Sequence, residues 1–397
     1  MNDSVSLYVH VPFCRAKCDY CDFFSLPCSG KIPDEYVDAL LAEALWYSRF
    51  YSAEGGLSGW KTIYIGGGTP SLLSPVQLER LVSGLKNLFP KRDPLEISVE
   101  MNPETLSHDH LKVMEATGVK RLSLGIQSLN ERVLKNVNRH CNVNDCLNAL
   151  NLVKSVWKGD LNLDAISVLC GCSLKEFEES LNEILIYEPD HVSLYTLTVE
   201  DGTPLAHRIE SGEEWDPDEA DRQWLVGREM LKERGYLQYE VSNFAKPGHR
   251  CMHNMTYWKQ DDYIGIGSGA TGSIYDFTVR GGLRYTNTRN IRQYCDFWTG
   301  NSITGEAIPR EKELLPLEIE EFEYIMMGLR TLAGINSLDY KKRFSGLKWN
   351  GDLSERLGVD DGLWHDYVKR GMAKTSGNTY SLTEKGLLFL NPFLTTL

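Results

Sequence analysis

The first half of the chain alternates short apolar runs with longer amphipathic ones. Short runs rich in Val, Ile and Leu between turn residues read as buried strands. Apolar positions recurring every three and four residues read as helices packed on one face. Strands are expected at Leu7–Val11, Thr62–Ile65, Glu96–Glu100, Arg121–Gly125, Asn162–Val168 and His191–Thr196. Helices are expected between them at Asp34–Tyr51, Pro75–Leu88, Ser107–Ala116, Asn144–Val156 and Leu174–Tyr187. Such strand–helix repeats predict an α/β fold, a parallel sheet with covering helices, open or rolled into a barrel. Ligands in barrels of this kind gather at the carboxyl ends of the strands.

From about Gly202 to Pro309 the pattern is less regular, with a helix near Pro217–Arg234 and short strands around Gln238–Phe244 and Ser273–Asn287. This reads as an elaboration that finishes and flanks the barrel, with acidic Glu210–Asp221 as a solvated face. Beyond Leu317 a helix near Glu318–Leu332, the segment Ser337–Phe344 and a helix around Asp361–Arg370 precede a hairpin with a Gly377-Asn378 turn and a last helix from Thr383. Helices followed by a two-stranded wing resemble a winged helix. The expected division is therefore a barrel core over 1–200, an elaboration over 201–310 and a small winged-helix-like domain over 311–397.

The strand ends carry the chemistry. The first strand runs into Cys14, Cys18 and Cys21, with three and then two residues between them. Three thiolates at this spacing can ligate three irons of a [4Fe–4S] cluster and leave the fourth without a protein ligand. Zinc prefers four ligands at paired short spacings, and no second close pair follows at a suitable distance. A disulfide cluster and plain buried thiols are the other readings. The second strand ends in Gly66-Gly67-Gly68-Thr69-Pro70, where missing side chains let backbone amides approach a charged ligand. Glu100, Gln127, Arg139 and Asp164 lie at or near the following strand ends. The alternative for Glu100 and Asp164 is a salt bridge inside the barrel mouth.

Composition narrows the field. At 42% hydrophobic and 24% charged, the 397 residues match a globular protein with room for two or three domains. A net charge of −13 argues against a broad nucleic-acid face. Residues 311–397 hold 11 Lys and Arg against 13 Asp and Glu, a poor balance for reading DNA, so docking or a lid role suits that module better. No apolar run is long enough to span a membrane, and the N-terminus lacks signal-peptide character, so a cytoplasmic location is expected. Ten cysteines then point to ligands and buried thiols.

Cys-x3-Cys-x2-Cys after a first strand, with Tyr20 before the last cysteine, resembles the radical S-adenosylmethionine (SAM) superfamily. That resemblance implies a cluster whose open iron chelates SAM and whose electron, drawn from a donor, cleaves it to a 5′-deoxyadenosyl radical. Over most of the chain the likeness is to the oxygen-independent coproporphyrinogen oxidase branch, HemN and the heme chaperone HemW. By motif, Tyr8 matches the tyrosine before the cluster loop, and Gly67, Gly68 and Thr69 match the segment holding SAM's methionine portion. Glu100, Gln127, Arg139 and Asp164 match side chains lining the SAM site. The oxidase carries a fourth cysteine where this chain has Phe23, as HemW-type proteins do.

Cys251-Met-His253-Asn254-Met-Thr-Tyr257-Trp258 resembles the H-N-x-x-Y-W signature of HemW, which implies His253 as a heme ligand with Cys251 a second candidate. The bland reading is a packing cluster with His253 hydrogen-bonded in the core. Thr271 stands where relatives usually carry histidine, and Val168 to Cys172 replaces a usual Gly-Leu-Pro turn. Cys170 and Cys172 are read as small buried residues or a second metal pair. The resemblance implies a heme carrier holding a [4Fe–4S] cluster, SAM and heme, with an electron donor and a hemoprotein acceptor as partners; no catalytic side chain is assigned. The alternative is radical decarboxylation of coproporphyrinogen III, and a third reading is radical chemistry on another substrate.

Overall fold

The computed structural model describes residues 4–53, 57–213, 215–276, 281–300, 308–347 and 351–397. Its centre is six parallel strands, β1 (Ser4–Val11), β2 (Gly59–Gly67), β3 (Glu96–Met101), β4 (Arg121–Gln127), β5 (Asp160–Ser167) and β6 (His191–Thr196), hydrogen-bonded in chain order. Their Val, Ile and Leu side chains are buried almost without exception, as expected of strands covered on both faces. Helices α1 (Asp34–Ala53), α2 (Pro75–Asn87), α3 (His108–Thr117), α4 (Glu131–Asn136), α5 (Val143–Val156) and α6 (Leu174–Leu185) form the outer layer. Reciprocal capping boxes start α2, α3, α5 and α6 from Ser74, Ser107, Asn142 and Ser173. These caps pair otherwise orphaned N–H groups, so each helix begins at a defined point just beyond a strand-end loop.

The same sheet continues on both sides. Beyond β6 lie β7 (Leu237–Gln238) and β8 (Asn243–Ala245), antiparallel. On the other flank β9 (Tyr263–Ile266) joins β1 as a further parallel strand, followed by β10 (Thr271–Ile274), β11 (Gly282–Asn287) and β12 (Arg310–Leu315) in antiparallel succession. The middle of the strand expected over Ser273–Asn287, residues 277–280, and Glu214 of the acidic stretch lie outside the described residues. Between these flanks, α7 (Pro204–Glu210) and α8 (Pro217–Glu233) precede α9 (Met252–Trp258).

Helix α9 packs against β2 and β3 near their amino ends, the lower end of the barrel, and it is there that His253 sits. Glu96 at the start of β3 receives the Met252 and His253 N–H groups at 3.2 and 3.0 Å and pairs with Arg121 at 3.1 Å. A chain of hydroxyls and imidazole then crosses the barrel floor. The Tyr257 hydroxyl donates to His253 Nε2 (2.9 Å), and Nδ1–H donates to Thr62 Oγ1 (2.8 Å). Thr62 donates to Ser6 (2.9 Å), which donates to Thr256 (2.8 Å). Every member is satisfied, and burial pulls His253 down to about 3, which keeps the imidazole neutral.

A buried ion pair joins the flanking strands to the helical layer. Arg310 reaches Glu43 of α1 at 3.2 Å, and Glu43 also accepts from Tyr294, Asn287 and the Gly267 N–H. The sheet continues to Leu315, past the boundary expected at residue 311. The remaining chain has its own core around Tyr340, Phe344, Trp364 and Phe393, with helices over a three-stranded sheet, Ile335–Asn336, Thr379–Leu382 and Ala373–Ser376. Arg310→Leu strands the fully buried Glu43 carboxylate, and the expected result is a loss of about 3 kcal/mol in urea unfolding; an unchanged midpoint contradicts this placement.

Candidate functional site

The carboxyl ends of the parallel strands surround one cavity of about 510 Å3. Past β1, Phe13–Cys14 pairs with Leu26–Pro27 and closes the intervening residues into a loop. Within it the Cys21 N–H donates to the Cys18 carbonyl at 3.1 Å, and the thiols of Cys14, Cys18 and Cys21 are all half-buried in residues lining the cavity. Tyr20, Phe23 and Ser25 line it too. Cys28 turns its thiol to the Gly30 carbonyl at 3.4 Å and is not part of the lining.

Two neighbours pin this loop. The Asp19 N–H donates to Val137 O (3.1 Å), and Asp19 O receives the Leu205 N–H (3.0 Å). Arg208 of α7 donates to Asp19 Oδ2 (2.6 Å) and Asn136 O (2.7 Å) while its fork grips Glu213. From below, Tyr8 acts through His10. The Tyr8 hydroxyl meets His10 Nδ1 at 2.8 Å, and His10 Nε2 meets the Phe24 carbonyl of the loop at 3.0 Å. Tyr8 therefore braces the loop and does not line the cavity. The sequence signal for His10 is its place in the alternating series Ser4, Ser6, Tyr8 and His10 along β1, nearest the cysteine loop.

The glycine turn after β2 approaches the loop more closely than any side chain allows. A Cβ on Gly68 would lie 2.7 Å from Phe13 O and 3.0 Å from Cys14 Sγ. Gly67 adopts φ +111° and donates its N–H to Glu100 Oε2 at 3.1 Å, and Thr69 Oγ1 lies 3.5 Å from Cys14 Sγ.

Opposite stand Glu100, Gln127, Arg139 and Asp164, all in the lining. Glu100 accepts from Tyr64 at 2.7 Å; burial, with a smaller push from Asp164, raises its carboxyl to about 7 despite that bond. Asp164 accepts from Asn162 at 2.7 Å, and burial raises it to about 6. No salt bridge joins these two acids to a cation among the described residues. Arg139 donates to Gly125 O at 2.5 Å and lies 3.9 Å from Cys18 Sγ, so one guanidinium spans the thiol side and the polar side. A register shift between Gly125 and Gln127 places Gln127 at φ +67°, a conformation that costs a non-glycine residue about 1–3 kcal/mol. Buried Gln127 Oε1 and Arg139 Nε have no partner among the described residues. Unpaired polar atoms, two raised carboxyls and a side-chain-free turn beside three thiols fit a polar cofactor held against a metal cluster.

Other expected residues lie elsewhere. His253, expected as a heme ligand, lies below the cavity: the imidazole is 1% exposed, its nitrogens meet Thr62 and Tyr257, and it stacks under Tyr64 at 5.0 Å. Cys251 is buried and donates to Glu96 at 3.5 Å. Thr271 meets Thr286 at 2.9 Å, outside the lining. Cys170 joins a small apolar cluster and Cys172 borders it, facing a separate cleft; neither joins a three-donor metal grouping among the described residues. Val168 takes φ +63°, with its N–H held by Gln223 at 2.8 Å.

Gly68→Ala is expected to displace Cys14 and to retain less than half the wild-type iron after anaerobic reconstitution; Arg208→Met, by freeing Asp19, is expected to speed iron loss to a chelator. Full iron with wild-type loss rates in both contradicts the packing described.

The model of the radical SAM superfamily matches residues 8–184. The chain is 33% identical to the heme chaperone HemW of Bacillus subtilis, covering 97% of each protein. It is also 33% identical to that of Escherichia coli, over 98% of this chain and 97% of the relative. A mouse protein named radical S-adenosyl methionine domain-containing protein 1, mitochondrial, is 32% identical over 83% of this chain and 74% of its own. Among solved structures, coproporphyrinogen III oxidase (HemN) of Escherichia coli superposes with a TM-score of 0.79 at 22% identity, over 99% of this chain and 90% of that one, which shows a shared fold. The chain belongs to the radical SAM superfamily, in the branch of the heme chaperone HemW.

Proposed function

We propose that this chain carries heme and delivers it to a hemoprotein, and that it holds a [4Fe–4S] cluster and SAM. The observation that supports this most is the likeness over 97% of the chain to a protein named for that role. Phe23, in place of the oxidase's fourth cysteine, favours the same branch.

Cys14, Cys18 and Cys21 would ligate three irons, leaving one without a protein ligand. Gly67, Gly68 and Thr69 would receive SAM's methionine portion, with Tyr20 as wall. Arg139 would take the SAM carboxylate through charge-assisted hydrogen bonds. Glu100, Gln127 and Asp164 would accept from its amino group and hydroxyls. When bound, the cluster and SAM supply one-electron chemistry, which requires an external electron donor. The residues of this chain place the ligand and hold protons: Glu100 is poised to shed its proton near neutrality as a cationic ligand arrives.

Among the described residues no helix is long and apolar enough to cross a membrane, and we place the protein in the cytoplasm. The C-terminal module, with its excess of acidic over basic residues, suits a docking or lid domain rather than a nucleic-acid reader.

Anaerobic titration of cluster-loaded protein with heme is expected to saturate near one equivalent, with the same absorption in His253→Ala, which loses thermal stability because Thr62 and Tyr257 lose their partner. Absence of saturable binding contradicts the carrier role. SAM affinity is expected to rise about tenfold from pH 6 to 8 as Glu100 ionises, since a carboxyl raised to about 7 is neutral below that pH and anionic above it. Glu100→Gln is expected to flatten most of that rise in equilibrium dialysis; an unaltered profile contradicts the role of Glu100.

A further inference from the structure

Cys141 and Cys146 lie outside the cavity lining, both free thiols, buried with their Sγ atoms 3.3 Å apart. They flank the start of α5: Asn142 caps that helix, Cys141 stands just before the cap, and Cys146 is the fourth helical residue. Residues at these two positions commonly pack together as an apolar staple that fixes the angle at which the chain enters a helix. Here both members of the staple are cysteines. An apolar contact does not call for sulfur on both sides, whereas two touching thiols can also be joined covalently.

A disulfide bond is about 2.05 Å long, so closure needs the two sulfurs to approach by about 1.3 Å. Cys146 is the fixed side: its N–H donates to Asn142 O at 3.1 Å, and its side chain is sealed in the barrel core. The yielding side is Cys141 and the short link between α4 and α5, where Asn138 takes φ +52°. Arg139 stands on that link, two residues before Cys141, and reaches from Gly125 O to within 3.9 Å of Cys18 Sγ. Drawing Cys141 toward α5 therefore moves the backbone that carries this guanidinium.

We propose that Cys141 and Cys146 form a reversible dithiol–disulfide site whose closure loosens the hold of Arg139 on the cavity ligand, an inference that rests on reading the cavity as a SAM site. The oxidant is a small-molecule disulfide. The Cys141 thiolate attacks one of its sulfurs and displaces a first thiol, and Cys146 then attacks the mixed disulfide and displaces a second. The pair loses two electrons and two protons, and the small disulfide gains both. Sharing a bond with Cys146 and burial both push the Cys141 thiol up, which leaves little thiolate and makes the exchange slow. In a reducing compartment the pair rests as the dithiol and closes when the pool of small disulfides rises.

The test equilibrates anaerobic, cluster-loaded protein with glutathione at different ratios of oxidised to reduced form and quenches it with N-ethylmaleimide. Trypsin releases both cysteines, and no others, on the single peptide His140–Lys154. In excess oxidised glutathione more than about half of that peptide is expected to carry an internal disulfide, which dithiothreitol reopens. SAM affinity in equilibrium dialysis is expected to fall about threefold or more in the oxidised protein. Cys146→Ala and Cys141→Val, which cannot close the bond, are expected to keep the same affinity in both buffers. A peptide that stays a dithiol, or stops at a glutathione adduct, overturns the site. A disulfide without loss of SAM affinity, or an equal loss in the two variants, overturns the link to Arg139. If reduced wild-type protein binds no SAM, the reading of the cavity fails, while the peptide still decides the disulfide.

Discussion

The close approach of the glycine turn after β2 to the cysteine loop after β1 is the constraint on which the rest of the site depends. Gly68 packs its α-carbon against the Phe13 backbone and the Cys14 sulfur with no room for a methyl group. The neighbouring Gly67 N–H then holds Glu100, and Glu100 holds Tyr64. One turn without side chains thus sets the position of a thiol and of a carboxyl on different strands. Parallel pairing makes this economical: neighbouring strands in register deliver their ends to one rim, so residues far apart in sequence share a cavity.

The interior of the barrel reads as a column. His253 on α9 supports the Tyr64 ring, Tyr64 supports Glu100, and Glu100 forms part of the cavity wall. The first step is a ring stack and the second a hydrogen bond, so the polar groups of the column are held in place from below. A change at the floor of the barrel can therefore disturb the cavity without any ligand touching His253. On the outer side Arg208 couples the cysteine loop to α7, which makes the segment after β6 part of the site's support.

The strands and covering helices were legible in the sequence because each carries a local period, and the strand-end rule brought Glu100, Gln127, Arg139 and Asp164 to one cavity lining with the cysteines. What escaped was non-local. The parallel strand Tyr263–Ile266 pairs with β1 from more than half the chain away, and no local pattern announces that partner. Tyr8 and His10 were separable only by knowing that the loop returns Phe24 to the His10 ring. The motif around His253 names residue types, not direction: that its ring on α9 points into the barrel floor, with Thr62 and Tyr257 on its two nitrogens, is seen only in the fold. Gln127 and Val168 adopt left-handed backbone that their residue types disfavour, which only the surrounding hydrogen bonds and packing enforce.

The central claim is that three thiols and the polar wall facing them form one site, in which a cluster with one protein-free iron meets SAM. Electron paramagnetic resonance of the anaerobically reduced, reconstituted protein, recorded with and without SAM, tests it most directly. The account predicts a signal near one [4Fe–4S] cluster per chain whose shape changes on adding SAM in wild type and changes little in an Arg139→Ala protein. A cluster signal indifferent to SAM in wild type, or a full-intensity signal in a protein lacking Cys14, Cys18 and Cys21, would contradict it.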